Sequence, residues 1–199
     1  MCEDSCIIIF IKNLIEGRVK TRLARDVGNR LAIMMYQDMV AHCLQEMEQS
    51  KISYLLAFSD QIPDTYLDKG AFVQEGQDLG ERMLNAFEYA FKKGFKKVCL
   101  IGSDCMEINS NDLITSLNII DENDIVIGPT KDGGYYLIAL KSSFPFLFLN
   151  KTWSHSNVLQ NTIFSIKEKG LKLALLDAKR DIDDISDLPK ELKHYLRND

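Results

Sequence analysis

Apolar runs of strand length alternate with longer stretches of helical period along this chain, and that alternation restricts it to βαβ units around a mostly parallel central sheet flanked by helices. Runs of the first kind are Cys6 to Ile11, Ile52 to Phe58, a shorter Ala71 to Val73, Lys97 to Ile101, Ile125 to Ile127, Tyr135 to Leu140 and Leu171 to Leu176. Helix signals lie between them. Asn29 stands where a cap would, ahead of a stretch reaching Ser50 with Leu31, Met34, Met35 and Met39 as candidate core positions. Asp78, with Glu81 three residues later, has the form of a capping box for a helix ending near Gly94. Further helices are expected over Ser110 to Ile120, over Ser156 to Lys169, and after Ser186. At 199 residues the chain can bury one sizeable core and is short for two, so residues 1–199 are expected to form one domain.

Composition then removes several classes. An apolar fraction of 46% and a charged fraction of 27% belong to an ordinary globular protein. A net charge of -5 argues against a general nucleic-acid binder, which holds phosphate through a surplus of Lys and Arg. The opening apolar run is too short for a signal-peptide core or a membrane span, so neither secretion nor membrane insertion is expected. Five cysteines, Cys2, Cys6, Cys43, Cys99 and Cys105, form an odd and scattered set without a C-x-x-C pair, as in the reduced thiols of a cytoplasm. Nothing in the sequence specifies an oligomeric state.

In open α/β sheets ligands bind at the carboxyl ends of the strands, so polar motifs just after strands carry the most weight. Four occur here. After the first strand, Gly17-Arg18-Val19-Lys20-Thr21-Arg22-Leu23 with Arg25 places four cations within eight residues of an acidic protein, which suits a polyphosphate. The segment is neither a Walker A loop nor a G-x-G-x-x-G fingerprint, and a solvated basic loop is its plain alternative. After the strand ending at Ile101 comes Gly102-Ser103-Asp104-Cys105, where Asp104 can either reach a hard cation or cap the following turn. Asp132-Gly133-Gly134-Tyr135-Tyr136 offers close backbone approach and aromatic faces, or an ordinary Asp-Gly hairpin. Arg180-Asp181-Ile182-Asp183-Asp184 supplies carboxylates for a second metal ligand, or an acidic helix start. His42 and His194 read as structural or surface residues, His155 is better placed beside Trp153 and Ser154, and Cys105 reads as packing.

In their order these blocks, together with Asp78-Leu79-Gly80-Glu81-Arg82-Met83, Trp153-Ser154 and Asp187-Leu188, resemble the glycosyltransferase-like family, of domain-of-unknown-function type, in the nucleotide-diphospho-sugar transferase (GT-A) superfamily. The family is related to nucleotidyltransferases such as phospholactate guanylyltransferases. The resemblance spans nearly the whole chain and implies a single-domain GT-A fold. It implies that Lys20 and Arg22 hold phosphates and act in catalysis with Asp104. Asp104 and Asp183 would hold Mg2+ (or Mn2+), with Asp181 as the fallback ligand. Gly17, Arg18, Gly80, Asp132, Gly133 and Gly134 would line the nucleotide. The chain departs from the family pattern at Leu14 and Glu16, at Met106, and at His155 and Asp184.

Two chemistries follow from that resemblance. In one, a phosphate oxygen of a small phosphorylated acceptor attacks the α-phosphorus of a nucleoside triphosphate. In the other, a hydroxyl acceptor attacks the sugar carbon of a nucleotide-sugar. The family name favours the second, the basic loop and the lack of a D-x-D motif favour the first, and a nucleotide-binding module without turnover is the non-enzymatic alternative.

Overall fold

The computed structural model describes residues 4–197, so Cys2 lies outside the described residues. Seven strands form one sheet: β1 (Ser5–Ile11), β2 (Ser53–Phe58), β3 (Ala71–Val73), β4 (Lys97–Ile101), β5 (Ile125–Pro129), β6 (Tyr135–Leu140) and β7 (Leu173–Leu175), in the order β3-β2-β1-β4-β6-β5-β7. β1 pairs in parallel with both β2 and β4, and within this sheet β6 alone is reversed, antiparallel to β4 and β5. The reversal matters for the site. It brings the turn between β5 and β6 to the same sheet edge as the carboxyl ends of the parallel strands.

Both faces of the sheet are covered, which is why its central strands are apolar without alternation. Ile7, Ile9 and Ile11 of β1 pack towards α2 (Asn29–Ser50) and α4 (Ser110–Ile119), meeting Cys43, Met47, Leu113 and Leu117. Cys6 and Ile8 point the other way, in a cluster with Met83, Phe87 and Ala90 of α3 (Leu79–Lys92) and Ile166 of α5 (Val158–Glu168). A third cluster joins Val19 and Leu23 with Met35, Tyr36 and Met39 of α2 and with Ile182, Leu188 and Leu192 near the chain's end. Among the described residues no helix is long and apolar enough to cross a membrane.

The helices differ from expectation in four places. The basic segment is not all loop, because Thr21–Val27 forms the short helix α1. Gly28 rather than Asn29 is the N-cap of α2, and the core positions of that helix are Ala32, Met35, Tyr36, Met39, Cys43 and Met47 at three- and four-residue spacing, with Met34 turned outwards. Asp78 does cap α3 by accepting from the Glu81 backbone at 2.9 Å, while the Glu81 carboxylate accepts from Gln77 rather than Asp78. Beyond Ser186 there is no α-helix among the described residues; Ile185–Asp187 and Lys193–Arg197 are 3-10 turns.

Candidate active site

A cleft of about 730 Å³ opens at the carboxyl ends of the parallel strands. Its rim is drawn from six segments that leave the sheet at that edge: Lys12 after β1, Ser59 after β2, Gln74 after β3, Gly102–Asp104 after β4, Thr130–Gly134 between β5 and β6, and Asp181–Asp183 after β7. Asn13 ties the first two together. Its Oδ1 accepts from the Asp60 backbone at 2.9 Å, and its Nδ2 donates to the Gln61 carbonyl at 2.7 Å.

The apolar cluster of Val19, Leu23 and Ile182 explains how residues from the two ends of the chain meet. In each segment the charged residues are next-door neighbours of a buried apolar one, so burying Val19 and Ile182 forces Lys20, Asp181 and Asp183 together. A backbone hydrogen bond from Ile182 to the Asp104 carbonyl, 3.0 Å, adds the β4 loop to the group. The Lys20 ammonium lies 2.7 Å from Asp104 Oδ2 and 3.7 Å from Asp183 Oδ1, and donates to the Ile182 carbonyl at 2.6 Å. Its side chain is 5% exposed, whereas those of Asp104 and Asp183 are 30% and 43% exposed on the cleft side. Arg22 reaches Asp183 Oδ2 at 3.2 Å from a side chain 65% exposed.

Carboxylates outnumber cations here, and the half-buried Asp181 registers it. Burial first, then the negative charges of Asp104, Asp132 and Asp183, push its carboxyl up to about 7 against the opposing pull of Lys20. The neighbouring acids have other work. Asp187 accepts from the backbone N–H of Asp183 and Asp184, at 3.2 and 3.3 Å, and Asp184 caps the turn through Ser186. Asp104 is backed by a hydrogen-bond chain: the Lys12 N–H donates to the Tyr36 hydroxyl at 2.8 Å, the Tyr36 and Ser103 hydroxyls share a hydrogen bond of 2.6 Å, and Ser103 Oγ stands 3.5 Å from Asp104 Oδ1. Among the described residues no group of three or more His, Cys, Asp or Glu side chains forms a metal-binding cluster by itself.

The structure sorts the expected residues. Arg18, Lys20, Arg22, Asp104, Asp132, Gly134, Asp181 and Asp183 line the cleft. Gly17, Gly80, Gly133 and Arg25 do not, and the two glycines nearest to it have a packing reason instead. A Cβ on Gly80 would stand 2.2 Å from the Phe148 carbonyl oxygen and 2.6 Å from Trp153 Nε1, and one on Gly133 would stand 1.8 Å from the Ser156 carbonyl oxygen. Both let the chain pass close to another segment rather than to a ligand. Asp132 accepts from Thr130 Oγ1 and from the Gly134 N–H, holding the β5–β6 turn. His155 accepts from the Asn157 N–H on Nδ1 at 3.1 Å, so Nε2 carries the proton and donates to the Thr152 carbonyl at 3.0 Å. Both of its nitrogens are engaged in a loop clamp. Burial pushes the Cys105 thiol up to about 12, in keeping with packing. Gln74 and Arg82, the two ends of the block Gln74 to Arg82 that the resemblance implies meets base or ribose, line the cleft, whereas sequence reasoning missed Tyr36 and Asn13. Tyr36 had one available signal, a position four residues after Ala32 and three before Met39 on the buried face of α2.

The family described as "Uncharacterized protein conserved in bacteria (DUF2064)" matches residues 22–155. The chain belongs to this family. A Desulfovibrio desulfuricans G20 structure, provisionally named a nucleotide-diphospho-sugar transferase, is 30% identical; the match covers 98% of this chain and 94% of that one with a TM-score of 0.85. At lower identity the same fold recurs in a 4-diphosphocytidyl-2C-methyl-D-erythritol synthase from Anaerococcus prevotii (11% identical, covering 98% of both chains, TM-score 0.62). It recurs again in the inositol-1-phosphate CTP transferase of T. maritima (13% identical, covering 99% and 96%, TM-score 0.60). No curated protein sequence matches the chain. The DUF2064 chain thus has the mixed α/β fold of the nucleotide-diphospho-sugar transferases, and its structural neighbours are transferases.

Proposed function

We propose that this DUF2064 protein is a metal-dependent nucleotidyltransferase that moves a nucleotidyl group from a nucleoside triphosphate to a small phosphorylated acceptor. The observation that carries the reading is the convergence of Asp104 and Asp183 on one cationic point, with Arg18 and Arg22 on the same cleft wall. A magnesium ion prefers one or two carboxylates plus substrate oxygens and water, and the partly exposed oxygens of Asp104 and Asp183 supply that donor set. The surplus of carboxylate charge around Asp181 is a second point of fit for an added cation. Asp104 and Asp183, with Asp181 in reserve, would hold Mg2+ (or Mn2+), which would supply charge neutralisation for the phosphates.

The protein's own contribution is positioning and electrostatics. Arg18 and Arg22 meet the β- and γ-phosphates, with Lys20 reaching the same group once it leaves the carboxylates. An acceptor phosphate oxygen forms a bond to the α-phosphorus as the bond from that phosphorus to the bridging oxygen breaks, and pyrophosphate departs with the electron pair on its own oxygen, its charge met by Arg18 and Arg22. A phosphate nucleophile is already ionised and needs no base. That suits a cleft whose one lining histidine, His155, has both ring nitrogens engaged in holding its own loop. The enzymes named for cytidylyl transfer among the structural neighbours lend the triphosphate reading support, and the name of the Desulfovibrio protein favours nucleotide-sugars instead. Four buried free cysteines among the described residues support a reducing cytoplasm as the compartment.

The test is incubation with a mixed pool of nucleoside triphosphates, nucleotide-sugars and phosphorylated acceptors plus magnesium, followed by mass spectrometry. Consumption of one triphosphate with release of pyrophosphate is expected. Consumption of a nucleotide-sugar with release of a nucleoside diphosphate would replace this reading with glycosyl transfer, and binding without any consumption would leave a nucleotide-binding module.

A further inference from the structure

We propose that Lys20 is an internal counter-ion standing on the metal position, so that the free protein binds divalent cations weakly and the metal enters together with the nucleotide. The proposal rests on the reading above at one point, that Asp104 and Asp183 are the carboxylates a metal takes.

Three observations carry it. The ammonium is placed between the two carboxylates, 2.7 Å from Asp104 Oδ2 and 3.7 Å from Asp183 Oδ1, where a shared cation would also sit. Its third neighbour is the Ile182 carbonyl at 2.6 Å, so two of its donors are taken at hydrogen-bond distance, by Asp104 and Ile182, and the third faces Asp183 at ion-pair distance. The residue is also held in place against its own preferences: Lys20 has a left-handed backbone, with φ of 46°, and a side chain only 5% exposed. A lysine enclosed in this way between the two carboxylates reaches a phosphate only by giving up contacts with them. The two roles must alternate.

What sets the alternation is charge balance. A divalent ion approaching Asp104 and Asp183 in the absence of nucleotide meets a buried positive charge with nowhere to go, and like charges a few ångströms apart in a half-buried site repel strongly. A triphosphate arriving with its metal changes this, because it brings acceptor oxygens to the ammonium as the metal takes the carboxylates. Arg22, already bonded to Asp183, is 65% exposed and turns to phosphate without desolvation. Lys20 therefore makes metal binding conditional on nucleotide, and keeps the acidic cluster neutralised between turnovers.

The experiment is a titration of Mn2+ into the full chain without nucleotide, reading free Mn2+ by electron paramagnetic resonance, for wild type, Lys20→Met, Lys20→Gln and Lys20→Arg. Removing the charge should tighten Mn2+ binding by about tenfold or more in Lys20→Met and Lys20→Gln, by the repulsion it relieves. Lys20→Arg keeps the charge and should stay weak. Adding Asp104→Asn to whichever neutral variant melts as a folded protein should abolish the gain. Wild-type binding as tight as that of the neutral variants, a gain in Lys20→Arg equal to theirs, or a gain that survives Asp104→Asn would overturn the proposal. The readout separates the two ideas. If turnover is found but the neutral variants do not tighten, only the counter-ion falls; if they tighten but no triphosphate is consumed, only the nucleotidyl reading falls.

Discussion

The Tyr36 hydroxyl joins the loop after β1, through the Lys12 N–H, to the loop after β4, through Ser103, and so sets the distance between the basic segment and Asp104. Tyr36 is fully buried, and Phe fills the same space. Tyr36→Phe should therefore cost about 1–3 kcal/mol by leaving the part-buried Lys12 N–H and the buried Ser103 hydroxyl without that partner. It should also weaken magnesium-dependent nucleotide binding, which calorimetry would detect; unchanged affinity at reduced stability would make Tyr36 a core residue only. Arg22 and Lys20 separate in the same way. Arg22→Ala should lower nucleotide affinity and move stability by no more than about 0.5 kcal/mol, since its side chain is 65% exposed. Lys20→Ala should destabilise the fold of the metal-free protein in a thermal melt, because it strips the ammonium from crowded carboxylates. That difference was not legible in the sequence. Arg18, Lys20, Arg22, Asp104 and Asp183 are recognisable as polar residues following apolar runs, but the burial of Lys20 comes from Val19 meeting Ile182 across the whole chain. Tyr36 was hidden for the opposite reason, since an aromatic residue within an apolar helix face reads as core.

Among the elements, the strands were readable because the sheet is covered on both faces, which makes each central strand a continuous apolar run bounded by polar junctions. Helix α1 was not, because its sequence Thr21–Val27 carries three charged residues in seven and buries one residue, Leu23. The tail after Ser186 failed in the other direction: Leu188 and Leu192 have helical spacing, yet they are buried by 3-10 turns packed on α2 rather than by a helix. The start of α3 shows how a motif can be recognised and its reason misread. Gly80 looked like a point of close approach to a nucleotide, and it is a point of close approach to Trp153 and Phe148. Gly80→Ala must therefore displace the Phe148 backbone or the Trp153 ring, and should cost about 1–3 kcal/mol as overpacking. Urea unfolding would measure it. A neutral or stabilising result, which an exposed helical glycine gives on replacement by alanine, would contradict this packing.

For the molecule as a whole, the sheet order and the reversed β6 bring six loops to one edge, and the alternation of strands and polar junctions does not by itself tie them to one another. Topology is the part that spacing could not supply; resemblance to the superfamily implied the fold and its mostly parallel sheet, and the strand order with its reversed β6 came from the structure. On the nucleotidyl-transfer reading, the gathered charge meets a triphosphate. One extra phosphate engaged by two charged hydrogen bonds, at about 1.5–3 kcal/mol each, corresponds to roughly two to four powers of ten in affinity. Calorimetry with magnesium present should compare a nucleoside triphosphate, the diphosphate and the diphosphate-sugar of the same base. The account predicts that the triphosphate binds tightest by a margin of that order. A diphosphate-sugar that binds as tightly as the triphosphate, or more tightly, would contradict it.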